Sequence, residues 1–182
     1  MKNNIFVLVI FYTVQFFLVS CSQNRSGSNI QADWLEIETP TWSIQFPPSW
    51  SSDTSGSHGT YLILAGQPEG EEDTYYETII LASAQISPTI NTLELFTNAN
   101  IDMLKSNMGN WELEESQAVQ LANKDAHRLV YTGTNGVIDS RWDQYFIIEN
   151  NIAWIITFSS EQRRWSEIHP EANTIINSLR LN

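Results

Sequence analysis

The stretch Asn135-Gly136-Val137-Ile138-Asp139-Ser140-Arg141-Trp142-Asp143-Gln144-Tyr145-Phe146-Ile147-Ile148-Glu149-Asn150-Asn151-Ile152-Ala153-Trp154-Ile155-Ile156-Thr157-Phe158 decides the fold. From Val137 to Glu149 the side chains fall into two alternating sets, the period of a β-strand. One set is Ile138, Ser140, Trp142, Gln144, Phe146 and Ile148; the other is Asp139, Arg141, Asp143, Tyr145 and Ile147. Asn135-Gly136 before it is a strong hairpin signal, because both central residues of a type I′ turn need positive φ. Asn150-Asn151 marks a second tight turn, and the nearly all-apolar run Ile152–Phe158 reads as a central strand. Strands joined by such turns are antiparallel neighbours.

Working towards the N-terminus, Ala126–Thr132 is a further strand, with Leu129 and Tyr131 on one face and Val130 on the other. Asn123-Lys124 is the turn before it. Trp111 and Leu113 begin another strand that runs towards Leu121. A helix precedes this meander. Asn91 is its expected cap, Glu94 the capping-box residue three positions on, and Leu93, Phe96, Ile101 and Leu104 its apolar positions. Tyr76–Ile86 and Tyr61–Ala65 read as strands. Trp42, Ile44 and Phe46 alternate with Ser43 and Gln45 until Pro47-Pro48 stops the ladder. Ser51–Gly59 reads as a polar loop, and Gly66–Thr74 as an exposed acidic one. At the other end, Glu161–Ser178 is helical in pattern, with Pro170 expected to start a second short helix. Strands, a helix, a meander and a helix make an α+β fold, an antiparallel sheet of about six strands flanked by helices.

The leader has a different character. Met1, Lys2 and two asparagines precede an apolar run from Ile5 to Val19 that ends in Leu18-Val19-Ser20-Cys21. A positive start, a short apolar core and small residues before a cut describe a secretory signal peptide. The run is shorter than the ~20 residues that span a bilayer. Its ending resembles the lipobox of bacterial lipoproteins, which implies cleavage after residue 20 and lipidation of Cys21. An uncleaved anchor helix is the competing reading, and either one leaves a membrane-tethered domain outside the cytoplasm. Residues 1–20 are thus expected to be the signal peptide, 21–33 the lipidated cysteine with a Ser/Asn/Gly-rich flexible tether, and 34–182 one domain.

Composition narrows the function. Nine Lys and Arg against 21 Asp and Glu give a formal charge of −12, which argues against nucleic acid and against adsorption to anionic lipid. Cys21 is the one cysteine, so packing alone must hold the domain. The three histidines, His58, His127 and His169, show no metal-ligand spacing. The acidic loop, with Glu69, Glu71, Glu72 and Asp73, lacks the order of an EF-hand. These histidines with Glu71 and Asp73 are the candidate metal ligands, against a plainer reading as solvated or packed side chains. There is no Gly-x-Ser-x-Gly elbow and no implied cofactor. Asp139, Arg141 and Asp143 share one strand face and are the candidate partner-binding residues, against a reading as a charged outer face. Trp142 and Trp154 read as core.

Several pieces in order carry a family resemblance. These are the opening with Ile44, Phe46, Pro47 and Trp50, the helix start Leu93–Phe96, the strand with Ala126, Leu129 and Tyr131, and the close with Ile176, Ser178 and Leu179. The chain resembles the PsbP-like superfamily over nearly all of Trp34–Leu181. The Gly-Tyr-x-Phe-x-Tyr-Pro form of its photosynthetic branch is replaced by Trp42-Ser-Ile-Gln-Phe-Pro, and the lipid-anchored arrangement looks most like the DcrB-like envelope lipoproteins and the lipidated cyanobacterial relatives. The resemblance implies an α/β/α sandwich and a binding function rather than catalysis. The expectation is a non-enzymatic, lipid-anchored assembly protein of the cell envelope, held to a membrane through Cys21 and acting on a protein partner there. The alternatives are a carrier of a small apolar ligand or a metal-dependent hydrolase.

Overall fold

The computed structural model describes residues 33–182, apart from 69, 71, 72 and 74. The expected signal peptide, Cys21, nearly all of the tether and Glu71 lie outside the described residues. The elements are β1 (Leu35–Glu38), β2 (Trp42–Phe46), β3 (Ser51–Asp53), β4 (Thr60–Ala65), β5 (Thr78–Gln85), α1 (Leu93–Asn107), β6 (Gly109–Leu121), β7 (Lys124–Asn135), β8 (Ile138–Glu149), β9 (Ile152–Glu161), α2 (Trp165–Asn177) and β10 (Arg180–Leu181). Seven strands form one antiparallel sheet in the order β3-β4-β5-β9-β8-β7-β6, and β1-β2-β10 form a second, smaller one. The expected α+β class is the observed one, with more strands than expected.

The large sheet is covered on both faces. Helix α1 lies over β6, β7 and β8, and packs Phe96, Leu104 and Met108 onto Leu129, Tyr131, Trp142 and Phe146. On the other face lie α2 and the small sheet. There Trp42, Ile44, Trp165, Ile175 and Ile176 meet Leu62, Leu64, Ile79, Tyr145, Ile147, Ile156 and Phe158. Burial of such side chains contributes roughly 1.5–3 kcal/mol each. Trp142 and Trp154 are both buried, as expected, but in opposite layers. No helix among the described residues is long and apolar enough to cross a membrane.

Local chemistry shifts several expected boundaries. The β7–β8 turn is Gly136-Val137, because Asn135 still pairs with Ile138. Of these turn residues only Gly136 takes a positive φ, of 66°, as a type II′ turn with glycine first requires. The β6–β7 turn is Ala122-Asn123 rather than Asn123-Lys124, with φ of 53° and 58°; Asn150-Asn151 turns as expected, with 51° and 63°. Helix α1 is capped by Thr92, not Asn91, since the Thr92 hydroxyl accepts from the Leu95 amide at 3.2 Å. Glu94 then falls in the first turn, where a carboxylate suits the helix dipole. Ser51–Gly59 is not all loop: Ser51–Asp53 pairs with β4, and Ser57–Gly59 forms a 3-10 turn. Pro170 does not begin a new helix but lies inside α2. The amide it lacks would have reached Ser166, in the first turn, and packing of the flanking Trp165, Ala172 and Ile175 carries the helix through.

Candidate functional site

Three of the candidate residues meet between β8 and α2. The register sets Asp143 between Val130 on β7 and Phe158 on β9, on the face that α2 covers. Its side chain is 0% exposed. Four hydrogen bonds converge on the carboxylate. Arg128 forks onto it, Nε to Oδ1 at 2.7 Å and Nη2 to Oδ2 at 2.9 Å. His169 Nε2 lies 2.8 Å from Oδ2, and the Tyr145 hydroxyl lies 3.3 Å from the same atom. An ionised carboxylate can only accept, so His169 carries its hydrogen on Nε2.

Arg128 reaches past Asp143 to Glu115 Oε2 at 2.7 Å, bridging β6 and β8. Burial alone would depress its guanidinium; the hydrogen bonds and the negative charge of Asp143 outweigh that and hold it above its ordinary value. Burial, then the negative charge of Asp143, pushes the Tyr145 hydroxyl up, so it stays a neutral donor. Trp165 links His169 of α2 to Arg141 of β8. The His169 ring stacks on it at 4.4 Å and 17°, and the Arg141 guanidinium lies 4.5 Å from its centroid, a cation–π contact. Arg141 also pairs with Glu114 at 2.5 Å.

A second buried pair stands beside this cluster. Arg164, before α2, meets Glu77 at 2.8 Å, with side chains 7% and 1% exposed. Burial raises the Glu77 carboxyl although the positive charge of Arg164 opposes it. Sequence reasoning did not single out Arg128, Arg164 or Glu77. The available signal was Glu77 directly before the apolar strand β5, since an acid in line with an apolar stripe needs a partner.

The charged outer face expected from Asp139, Arg141 and Asp143 is not formed. The three do share a face, but α2 covers it, so Asp143 is buried and Arg141 half-buried. Asp139 alone is exposed. It lines an open groove of about 470 Å³ with Val137, Ile138, Glu161, Gln162 and Arg163. Val137, at the turn, is 97% exposed. The candidate metal ligands are scattered. His58 lies in the 3-10 turn Ser57–Gly59, and Asp73 accepts the Tyr75 amide at 3.0 Å. His127 on β7 lies 2.8 Å from the Ser116 hydroxyl and its imidazole is pushed down by burial. His169 faces Asp143. Among the described residues, no three His, Cys, Asp or Glu side chains gather to hold a metal.

Comparison with solved structures places this architecture. The cyanobacterial PsbP protein CyanoP of Synechocystis superposes with a TM-score of 0.58 at 13% identity, over 87% of this chain and 98% of that one. The fold is PsbP-like. LpqN of Mycobacterium tuberculosis, described as involved in cell envelope biogenesis, matches the same PsbP-like layers with a TM-score of 0.60 at 15% identity, over 82% of this chain and 91% of its own. A protein of unknown function from Pseudomonas aeruginosa matches with 0.57 at 11% identity, over 81% and 96%. No family model and no curated protein sequence matches the chain.

Proposed function

We propose that this chain is a lipid-anchored, extracytoplasmic PsbP-like domain that binds a membrane-proximal protein partner and catalyses no reaction. The observation that carries this reading is the state of Asp143. A carboxylate that acts as general acid or base must be within reach of the substrate proton it moves. Asp143 instead is fully buried and receives two bonds from Arg128, one from His169 and one from Tyr145, and so serves to tie β7 to β8 and to hold His169 of α2 against them. The fold shared with CyanoP and with LpqN, a protein of envelope biogenesis, and the Leu18–Cys21 lipobox support an envelope location.

The groove beside Val137 is the contact surface in this reading. It combines an apolar tip with Asp139, Glu161 and Arg163 at a free hairpin end. Affinity capture of the anchored protein from solubilised membranes tests it. A reproducible partner is expected, with capture reduced at least tenfold by Val137→Asp combined with Asp139→Lys. Capture that fails, or that ignores the double substitution, overturns the binding surface. Cys21→Ala is expected to release the protein from the membrane fraction with its fold intact. A Cys21→Ala chain that stays lipidated overturns the anchor.

A further inference from the structure

The two sides of the large sheet end differently. β3 closes one side with three residues, and Asp53 curls back to accept the Ser55 amide at 2.7 Å. β6 closes the other with thirteen residues, most of them exposed. Such an edge is a template for another strand.

The register fixes which β6 groups face outward. Leu121 and Lys124 flank the two-residue turn Ala122-Asn123, so they exchange both hydrogen bonds with each other. Alternation then directs Glu115, Gln117 and Val119 to β7, and leaves the amides and carbonyls of Ser116, Ala118 and Gln120 facing away from the sheet. Among the described residues, no backbone hydrogen bond outside the ladders involves these three. The segment from Ser116 to Gln120 carries no charge. The acids Glu112, Glu114 and Glu115 lie at one end only, where register shifts between Gly109 and Glu112 and between Leu113 and Glu115 break the ladder.

The outward set is symmetric about Ala118. We propose that two copies of this chain pair through β6, antiparallel and centred on Ala118, to join their sheets. In that register Ala118 meets its counterpart, and Ser116 of each copy meets Gln120 of the other. All six outward donors and acceptors of each copy are satisfied. Glu115 falls opposite Leu121, so the two acidic ends stay apart by six residues, roughly 20 Å at the rise of a strand. That exceeds the ~8 Å screening length of physiological salt. A strand running the other way would set acid against acid. About seven residues a side is well below the 20–30 of a stable interface, so the dimer is weak and concentration-dependent.

Cysteine cross-linking of the full chain in cell membranes tests it. Wild type, with Cys21 its one cysteine, sets the background. Ala118→Cys is expected to form a disulfide-linked dimer on mild oxidation, at least tenfold above both wild type and Ser52→Cys, an exposed site on β3 at the opposite edge of the sheet. In detergent solution, light scattering should show a dimer fraction rising with concentration. Ala118→Pro should abolish it while circular dichroism and Tm stay unchanged, because the lost amide is one that β7 does not use. Cross-linking of Ala118→Cys no greater than that of Ser52→Cys overturns the proposal. So does a folded Ala118→Pro chain that still dimerises.

Discussion

The two faces of the large sheet are buried by opposite means. Under α1 the layer carries no buried ion pair among the described residues: Phe96 and Leu104 lie with the neutral Thr97 and Asn100, Phe146 meets Phe96 edge-on at 5.3 Å, and Trp142 stacks on Tyr131 at 5.3 Å. Under α2 the apolar layer is pinned at two points by ions, Asp143 with Arg128 and Glu77 with Arg164. The Arg128–Asp143 fork itself joins β7 to β8; α2 meets it through His169, and Arg164 ties the start of α2 to Glu77. α1 is therefore held by packing, and α2 by packing with directional contacts at Asp143 and Glu77. Buried pairs add little net stability over apolar residues of the same size, but removing one partner leaves a bare charge. The two faces should accordingly fail in different ways.

The largest effect should come from the apolar face. Phe146→Ala empties a fully buried site and should destabilise by about 4 kcal/mol, read from the urea midpoint at constant m. On the ionic face, Asp143→Ala should cost about 3 kcal/mol, because Arg128 keeps only Glu115 and His169 and Tyr145 lose their acceptor. The difference between faces shows in the repair: Arg128→Met with Asp143→Leu should recover most of that loss, while no polar change repairs Phe146→Ala. Failure of the double substitution would mean that the ions carry stability as well as direction. Gly133→Ala is a smaller test of packing under α1. Its new Cβ would lie 2.5 Å from Met108 Sδ, so about 1–2 kcal/mol is expected, relieved in part by Met108→Ala.

The smallest effect separates the faces by the sign of their pH dependence. His127, on the α1 face, has a folded pKa below its unfolded value. Its contribution is present above about pH 6.5 and is lost as pH falls through the folded value. Glu77, on the α2 face, has a folded pKa above its unfolded value. Its contribution is full below about pH 4.5 and is lost as pH rises through the folded value. His127→Gln should flatten the fall in Tm between pH 7 and 5. Glu77→Gln should leave that interval's histidine slope in place and remove the decline just above pH 4.5.

Much of the architecture was legible in the sequence, for identifiable reasons. β6 to β8 alternate, β9 begins as a nearly all-apolar run, and tight turns divide them. β3 was missed because Ser51-Ser52-Asp53 has no apolar pattern, and only pairing with β4 makes it a strand. Pro170 was read as a helix boundary because the rule for proline is local, while packing that carries α2 through it is not. Asp143 is the instructive case. Alternation groups residues by face and does not say which face is covered, so a charged triplet reads as surface. Tyr145 and Ile147, next in the same set, were the sign that this stripe runs into a core.

The small sheet has a consequence for the order in which the molecule is made. β2 is flanked by β1 on one side and by β10 on the other, and the Ser178 hydroxyl bonds the backbone of Gln45 from 133 positions away. A ribosome delivers β2 early and β10 last, so the layer that seals the α2 core cannot close until residue 181 has emerged. Until then the growing chain lacks its latch and stays open to unthreading.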